Sequence, residues 1–321
     1  MSLVRAKTAP PQRLRAVAML SFGVAVSSTQ DAYIKFIAGS YPFHQMQFIR
    51  SAVALPLILL IVWRAGDLPA AFAKPTGTLL LRSFMLSIAS ISFYLGLAAL
   101  DLPDAVAIYF SLPLMIAALS SRVIGESVPP HRFLAMIVAF VGVVVIVRPG
   151  TGVFNPGSLI VLFATACYAL GHMLTRPLGA TMPTTAIALW QNFGFLVTAS
   201  LLGLVFGTGA FHSDLIPSVD YLTRGWVTPT AGDLLLMMSF GVSTALAMIF
   251  LTAGYRLAEP SFVAPFEYSA LFWAVMWGFL LWGTLPGAAT VTGSALVIGA
   301  GLYMLSRETR GRSPRPSDPT G

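Results

Sequence analysis

Ten apolar runs of about 20 residues follow one another along a chain of 321 residues. A run of that length is what an α-helix needs to cross the roughly 30 Å hydrocarbon core of a bilayer. The runs lie at about 14–37, 43–64, 78–100, 104–123, 131–148, 157–176, 184–206, 233–255, 260–282 and 288–306. Charged residues are only 10% of the chain, against about 25% in ordinary soluble domains, too few to cover a water-facing surface. With 56% apolar residues the chain is also far from the composition of a disordered one. A membrane β-barrel would alternate polar and apolar positions, whereas these runs are continuous. The expectation is an all-α integral membrane protein of ten transmembrane helices. The single cysteine, Cys167, lies inside an apolar run, so neither a disulfide framework nor a cysteine metal site is expected.

Basic residues set the expected orientation. The first run follows Arg5, Lys7, Arg13 and Arg15, which resembles the start of a signal peptide. It continues through Ser27, Ser28, Gln30 and Asp31 without a clear cleavage site, so it reads as an uncleaved helix. With the N-terminus inside, the inner segments carry fourteen Lys and Arg, and the outer loops carry only Arg148 and Arg224. This asymmetry follows the positive-inside rule and puts both termini in the cytoplasm of a bacterial-type inner membrane. The net charge of +7 therefore reflects topology rather than nucleic-acid binding. The longest loop, about 207–232, falls outside, with Ser218 expected to be accessible there. The basic ends, 1–13 and 307–321, read as cytoplasmic tails.

The two halves resemble each other. An offset of 141 residues places Phe22 on Phe163, Asp31 on His172, Lys35 on Arg176 and Arg50 on Gln191. An offset of 157 places Phe93 on Phe250, Leu100 on Leu257 and Pro103 on Pro260. Each half, 14–148 and 157–306, holds five spans. Five is odd, so the second half must enter the membrane inverted relative to the first, which is an architecture of transporters with a midplane site.

Leu102-Pro103-Asp104-Ala105 through Pro113 to Gly125-Glu126 resembles the fourth span of the EamA branch of the drug/metabolite transporter superfamily. The run from Ala258-Glu259-Pro260 through Ala264-Pro265-Phe266-Glu267-Tyr268 to Trp282-Gly283 is similar to the matching ninth span. The resemblance implies a secondary transporter of small metabolites with a central cavity. It departs at Gly283-Thr284, where the first half has Gly125-Glu126, so any role of a second glutamate is lost.

Ionisable residues within spans are costly unless they face a partner or a wet cavity. Ser27, Ser28, Asp31 and Lys35 share one helical face, as do Gln47 and Arg50. Ser83, Ser87, Ser90 and Tyr94 form a ladder on the third span, and Thr165, Tyr168, His172 and Arg176 form one on the sixth. The four stripes converge on one aqueous pathway in this reading. The serines could instead bond a carbonyl one turn back. Lys35 and Arg82 read as snorkelling to the interfaces, and Arg176 as part of the inner basic belt. Asp31 and Arg50 lie at similar depth on adjacent helices and can neutralise each other, either as a structural pair or as a substrate-binding pair. His172 and Gln191 occupy the corresponding depth near the inner side.

In the ninth span, Phe262, Phe266, Trp273 and Trp277 share a face that reads as packing or lipid contact rather than an aromatic box. Glu267 faces elsewhere and is the candidate proton-titrating group. Tyr109 and Tyr268 are cavity candidates, each offering a ring and a hydroxyl. Pro113 and Pro265 interrupt the fourth and ninth spans and read as hinges or static kinks. Gly293, Ala295, Gly299 and Gly301 permit close helix contact, read as internal packing, with a monomer or weak homodimer expected.

The chain has no HExxH or GxSxG motif and no phosphate-binding loop, so an enzyme and an ATP-driven pump are disfavoured. No loop is long enough for a sensor domain. The expectation is an ATP-independent transporter without metal or cofactor. Its partners are the lipid bilayer, a small-molecule substrate and, for coupling, protons. A channel-like facilitator or multidrug exporter is the alternative. Tyrosines, hydroxyls and one pair of opposite charges suit a polar or zwitterionic ring-bearing metabolite, such as an amino acid or riboflavin.

Overall fold

The computed structural model describes residues 10–112, 115–116, 119, 130–147, 155–258 and 263–310. Among the described residues every regular element is helical, as a bilayer demands of segments that must satisfy their own backbone groups. The main helices are α1 (Pro10–Ile37), α2 (Phe43–Arg64), α3 (Gly77–Ala99), α4 (Leu102–Tyr109), α5 (Pro130–Val147), α6 (Gly157–Met173), α7 (Thr184–Phe206), α8 (Ala231–Leu257), α9 (Ser269–Trp282) and α10 (Ala288–Arg310). Four of them, α2, α3, α7 and α8, are long and apolar enough to cross a membrane unaided, and shorter apolar helices accompany them. Leu60, Trp63, Phe84, Leu204 and Phe272 lie on the exposed surface, where lipid rather than water is the solvent.

Local chemistry sets the helix ends. The Thr76 side chain accepts from Leu79 N–H at the start of α3, and Thr230 accepts from Asp233 N–H at the start of α8. Both are N-caps that satisfy an orphan donor. Lys35, in the last turn of α1, donates to the Leu97 and Leu100 carbonyls at the end of α3. It thus neutralises the free acceptors there instead of reaching for the interface. α9 ends at Gly283, whose φ of 65° is the left-handed conformation that a Cβ would strain.

Helices pair across the halves. α1 lies along α8 and α3 along α6, while α2 packs on α7 and α5 on α10. Small residues set these seams. A Cβ on Gly96 would meet Val161 at 2.5 Å, and one on Gly254 would meet Leu20 at 2.9 Å. Gly142 and Gly293 press together so closely that a Cβ on either would lie within 2.7 Å of the other's carbonyl oxygen. Gly293 therefore serves internal packing, and Gly301 does the same against Tyr268, whereas nothing approaches Gly299.

Two expectations about irregular segments change. In the fourth span α4 ends at Tyr109, and the described residues 112, 115–116 and 119 are again helical. The ninth span is broken, because α9 is preceded by a 3-10 turn, Ala264–Tyr268, that contains Pro265. A proline near the start of that turn removes a backbone donor, consistent with the break. Pro113 lies outside the described residues, as do Gly125-Glu126, Glu259-Pro260 and the outermost parts of both tails. The 207–232 loop is a packed lid, not an open loop. It carries a short helix, Pro217–Thr223, in which Ser218 and Tyr221 are buried. Ser218 donates to the Leu95 carbonyl at 2.6 Å, and Gln45 exchanges two hydrogen bonds with the Val227 backbone. Ser218 is thus not freely accessible. Leu215, 87% exposed, is the open position of this loop.

The α5–α10 seam makes a direct prediction. Gly293→Val should lower the melting temperature by the equivalent of about 1–3 kcal/mol through overpacking. Gly299→Val, on an open face, should stay within about 0.5 kcal/mol of the parent. Thermal unfolding in detergent measures both.

Candidate functional site

A cavity of about 160 Å³ lies in the middle of the bundle, an order of magnitude above the roughly 15 Å³ that a single water requires. Its walls come from α1, α2, α3, α4, α6, α7, α8 and the α9 region, while α5 and α10 contribute none of the described lining residues. Of the site residues expected from sequence, Asp31, Arg50, Ser90, Tyr94, Tyr109, His172, Gln191 and Glu267 line it.

Asp31 and Arg50 are brought together, but not as a contact ion pair. The Tyr94 hydroxyl stands between them. It donates to Asp31 Oδ1 at 2.6 Å and accepts from Arg50 Nη1 at 2.9 Å. Arg50 also donates to Gln47 and to Ser90 Oγ. Its guanidinium lies 4.9 Å from the Tyr94 ring centroid and 5.8 Å from that of Phe195, within cation–π range. Arg50 is only 3% exposed. A buried cation survives there because hydroxyl, amide, ring and carboxylate share its charge.

A second cluster surrounds Glu267. Tyr255, fully buried on α8, donates its hydroxyl to Glu267 Oε1. The Tyr255 ring lies 4.3 Å from His172, which lies 4.1 Å from Tyr168. Tyr168 meets Tyr109 at 5.2 Å, and Tyr109 meets Phe93 at 5.6 Å. Phe93 meets Tyr94 at 5.6 Å. An unbroken row of rings thus joins the Asp31–Tyr94–Arg50 cluster to the Tyr255–Glu267 cluster along one wall.

Two expected cavity residues lie elsewhere. Ser87 donates back to the Ser83 carbonyl at 2.9 Å, and its hydroxyl packs against Gly194 of α7. It is a helix-packing serine. Tyr268 is directed at α10, against Gly301, with Phe110 at its edge. Trp277 donates to Thr29 on α1, so it packs between helices, while Phe272 faces outward. The expected snorkelling of Arg82 also fails. Arg82 is 0% exposed and donates to Thr175 at 2.8 Å, Gln191 at 3.0 Å and Thr252 at 3.4 Å. Tyr255 escaped sequence reasoning because a tyrosine in an apolar run resembles any packing aromatic.

The fold is that of a multi-pass helical membrane protein with a central cavity lined by polar and apolar side chains. Residues 14–148 match the model of the EamA-like transporter family. It is similar to an S-adenosylmethionine uptake transporter of Rickettsia prowazekii, 22% identical over 94% of this chain and 96% of the relative. A pseudopaline exporter of Pseudomonas aeruginosa is 26% identical over 88% of this chain and 93% of its own. A riboflavin transporter of Rhizobium johnstonii is 27% identical over 69% and 67%. A solved crystal structure, 15% identical, superposes with a TM-score of 0.69 over 93% of this chain and 99% of that one. The fold is shared despite the distant sequence. The matched family and these relatives are all named as transporters, and none as an enzyme.

The tyrosine bridge generates the test of this geometry. Tyr94→Phe leaves Asp31 and Arg50 without their shared partner and should cost about 1–3 kcal/mol of stability. Its effect should be non-additive with that of Asp31→Asn, by about 0.5–3 kcal/mol in a double-mutant cycle. Strict additivity in thermal unfolding would show that the bridge carries no energy.

Proposed function

We propose that the chain is an ATP-independent secondary transporter. In this reading two inverted five-helix repeats, 14–148 and 157–306, carry a small polar or zwitterionic, ring-bearing metabolite across the cytoplasmic membrane by alternating access. The observation that carries the reading is a central cavity, lined by both polar and apolar side chains, that is walled by corresponding helices of both halves. The helix pairing supports it. Exchanging the halves converts the α1–α8 contact into α6–α3, and α2–α8 into α7–α3, all of which occur. The ends of the helices support an inverted relation. Asn155, just before α6, donates to the Ala99 carbonyl at the end of α3. Lys35, at the end of α1, reaches that same end of α3. α6 therefore begins at the side of the bundle where α1 finishes.

Substrate class follows from what the cavity offers. Asp31, Arg50, Ser90 and Tyr94 can meet charged and hydroxyl groups, while Phe93, Tyr109 and Tyr168 offer ring faces. S-adenosylmethionine and riboflavin, named for two of the relatives, both carry heteroaromatic rings and polar groups. Pro265, in the 3-10 turn that precedes α9, serves as a flexing point of the ninth span. Glu267, buried and held by Tyr255, is the proton-coupling group.

Three outcomes are expected. In proteoliposomes, counterflow of radiolabelled S-adenosylmethionine, riboflavin or an aromatic amino acid should be saturable for at least one of them. Flux that rises linearly with concentration for all would identify a channel. Glu267→Gln should fold and still exchange substrate, yet lose its response to an imposed pH gradient. Unchanged gradient-driven uptake would remove Glu267 from coupling. For orientation, Leu215→Cys in a Cys167→Ser background should react with an impermeant maleimide in intact cells. Labelling of that position only after lysis would reverse the topology.

A further inference from the structure

Arg82 is the largest fully buried side chain of the described chain, and its hydrogen-bond partners do not neutralise it. Thr175, Gln191 and Thr252 each present an uncharged oxygen. Among the described residues no carboxylate lies within 4 Å of its guanidinium. One of its nitrogens, Nη1, is buried without a partner. Arg50 also has one buried nitrogen without a partner, Nε, but differs in reaching the Asp31 carboxylate through a single hydroxyl. A buried cation without a counter-charge is strongly unfavourable, and a membrane protein retains one where an anion will meet it.

The surroundings of Arg82 face the cavity. Gln191 lines the wall and holds Arg82 through its Oε1 at 3.0 Å, which leaves its amide NH₂ as the group able to donate to what enters. His172 also lines the wall, is 1% exposed, and has neither ring nitrogen partnered. An imidazole and an amide NH₂ thus meet at the cavity wall, with the Arg82 guanidinium held directly behind Gln191, and among the described residues no acidic side chain is bonded to any of the three. Resting on the transporter reading above, we propose that Arg82, His172 and Gln191 form a subsite for the carboxylate of the substrate, so that the pathway selects solutes bearing a carboxylate. Arg82 supplies the charge, and Gln191 and His172 orient the oxygens. In the absence of substrate the site is a cation held by neutral dipoles.

The probe is acetate, the smallest carboxylate, compared with its neutral isostere acetamide at constant pH and at ionic strength balanced with chloride. Both are applied to the purified full chain in lipid nanodiscs. Acetate should raise the melting temperature in a saturable way, and acetamide should not. Arg82→Gln should weaken the apparent acetate affinity about tenfold or more, the effect expected of removing a charge-assisted partner. Gln191→Glu places a carboxylate against Arg82 without changing shape. It should melt above the parent in the absence of acetate and respond to acetate at least tenfold more weakly. Acetate having no effect on the parent, or acting equally on Arg82→Gln, would overturn the subsite. Should Arg82→Gln fail to fold, Gln191→Glu decides. If it melts no higher than the parent and keeps the full acetate response, the proposal fails. Counterflow separates this from the broader reading. Saturable exchange with no acetate effect sinks the subsite alone, whereas acetate binding at Arg82 with no exchange of any tested solute sinks the transporter reading alone.

Discussion

The centre of this protein depends on the cost of keeping charge out of water. Asp31 and Arg50 would each be intolerable alone in the hydrocarbon zone, and Tyr94 makes them tolerable together by donating to one and accepting from the other. That bridge needs α1, α2 and α3 to present their side chains at one depth. It also needs α7 close enough to set the Phe195 ring against the guanidinium. The glycine-lined seams that bring α3 onto α6 and α1 onto α8 permit this. Packing and electrostatics are therefore one constraint: relaxing a seam would loosen the contacts that keep the charges solvated by protein.

The ring row from Tyr94 to Tyr255 gives the cavity a continuous aromatic wall between two polar clusters of different character. One cluster pairs an acid with a base through a hydroxyl. The other holds Glu267 against Tyr255, with Arg82 separately fixed by neutral oxygens. Over the opposite end of the bundle from Arg82, the 217–223 helix is sealed by Ser218 and the Gln45–Val227 pair. Access from that side requires those bonds to break.

Much of this was legible in the residues. The apolar runs specified helices because no other segment can satisfy its backbone in lipid, and the stripes at helical spacing identified most of the lining. The failures have physical causes. Arg82 lies five residues into α3, about 8 Å from its start at 1.5 Å per residue, a depth from which an arginine can either snorkel or turn inward. Only the positions of Thr175, Gln191 and Thr252 on three other helices decide between them. Ser87 and Ser90 belong to one ladder, yet the close approach of Gly194 assigns the first to packing and leaves the second at the cavity. Tyr268 shares a composition with Tyr109 but meets Gly301 instead of open space.

By itself the sequence determined the helical membrane class, the helix-forming segments and the residues too polar to face lipid, since these follow from hydrophobicity and helical periodicity, which are local properties. Tertiary structure alone decided that Tyr94 bridges Asp31 and Arg50, that Tyr255 holds Glu267, and that Arg82 is buried with no counter-charge among the described residues. Each of these is a meeting between helices distant in the chain, and its energy depends on angles and separations of a few ångströms that no local pattern encodes.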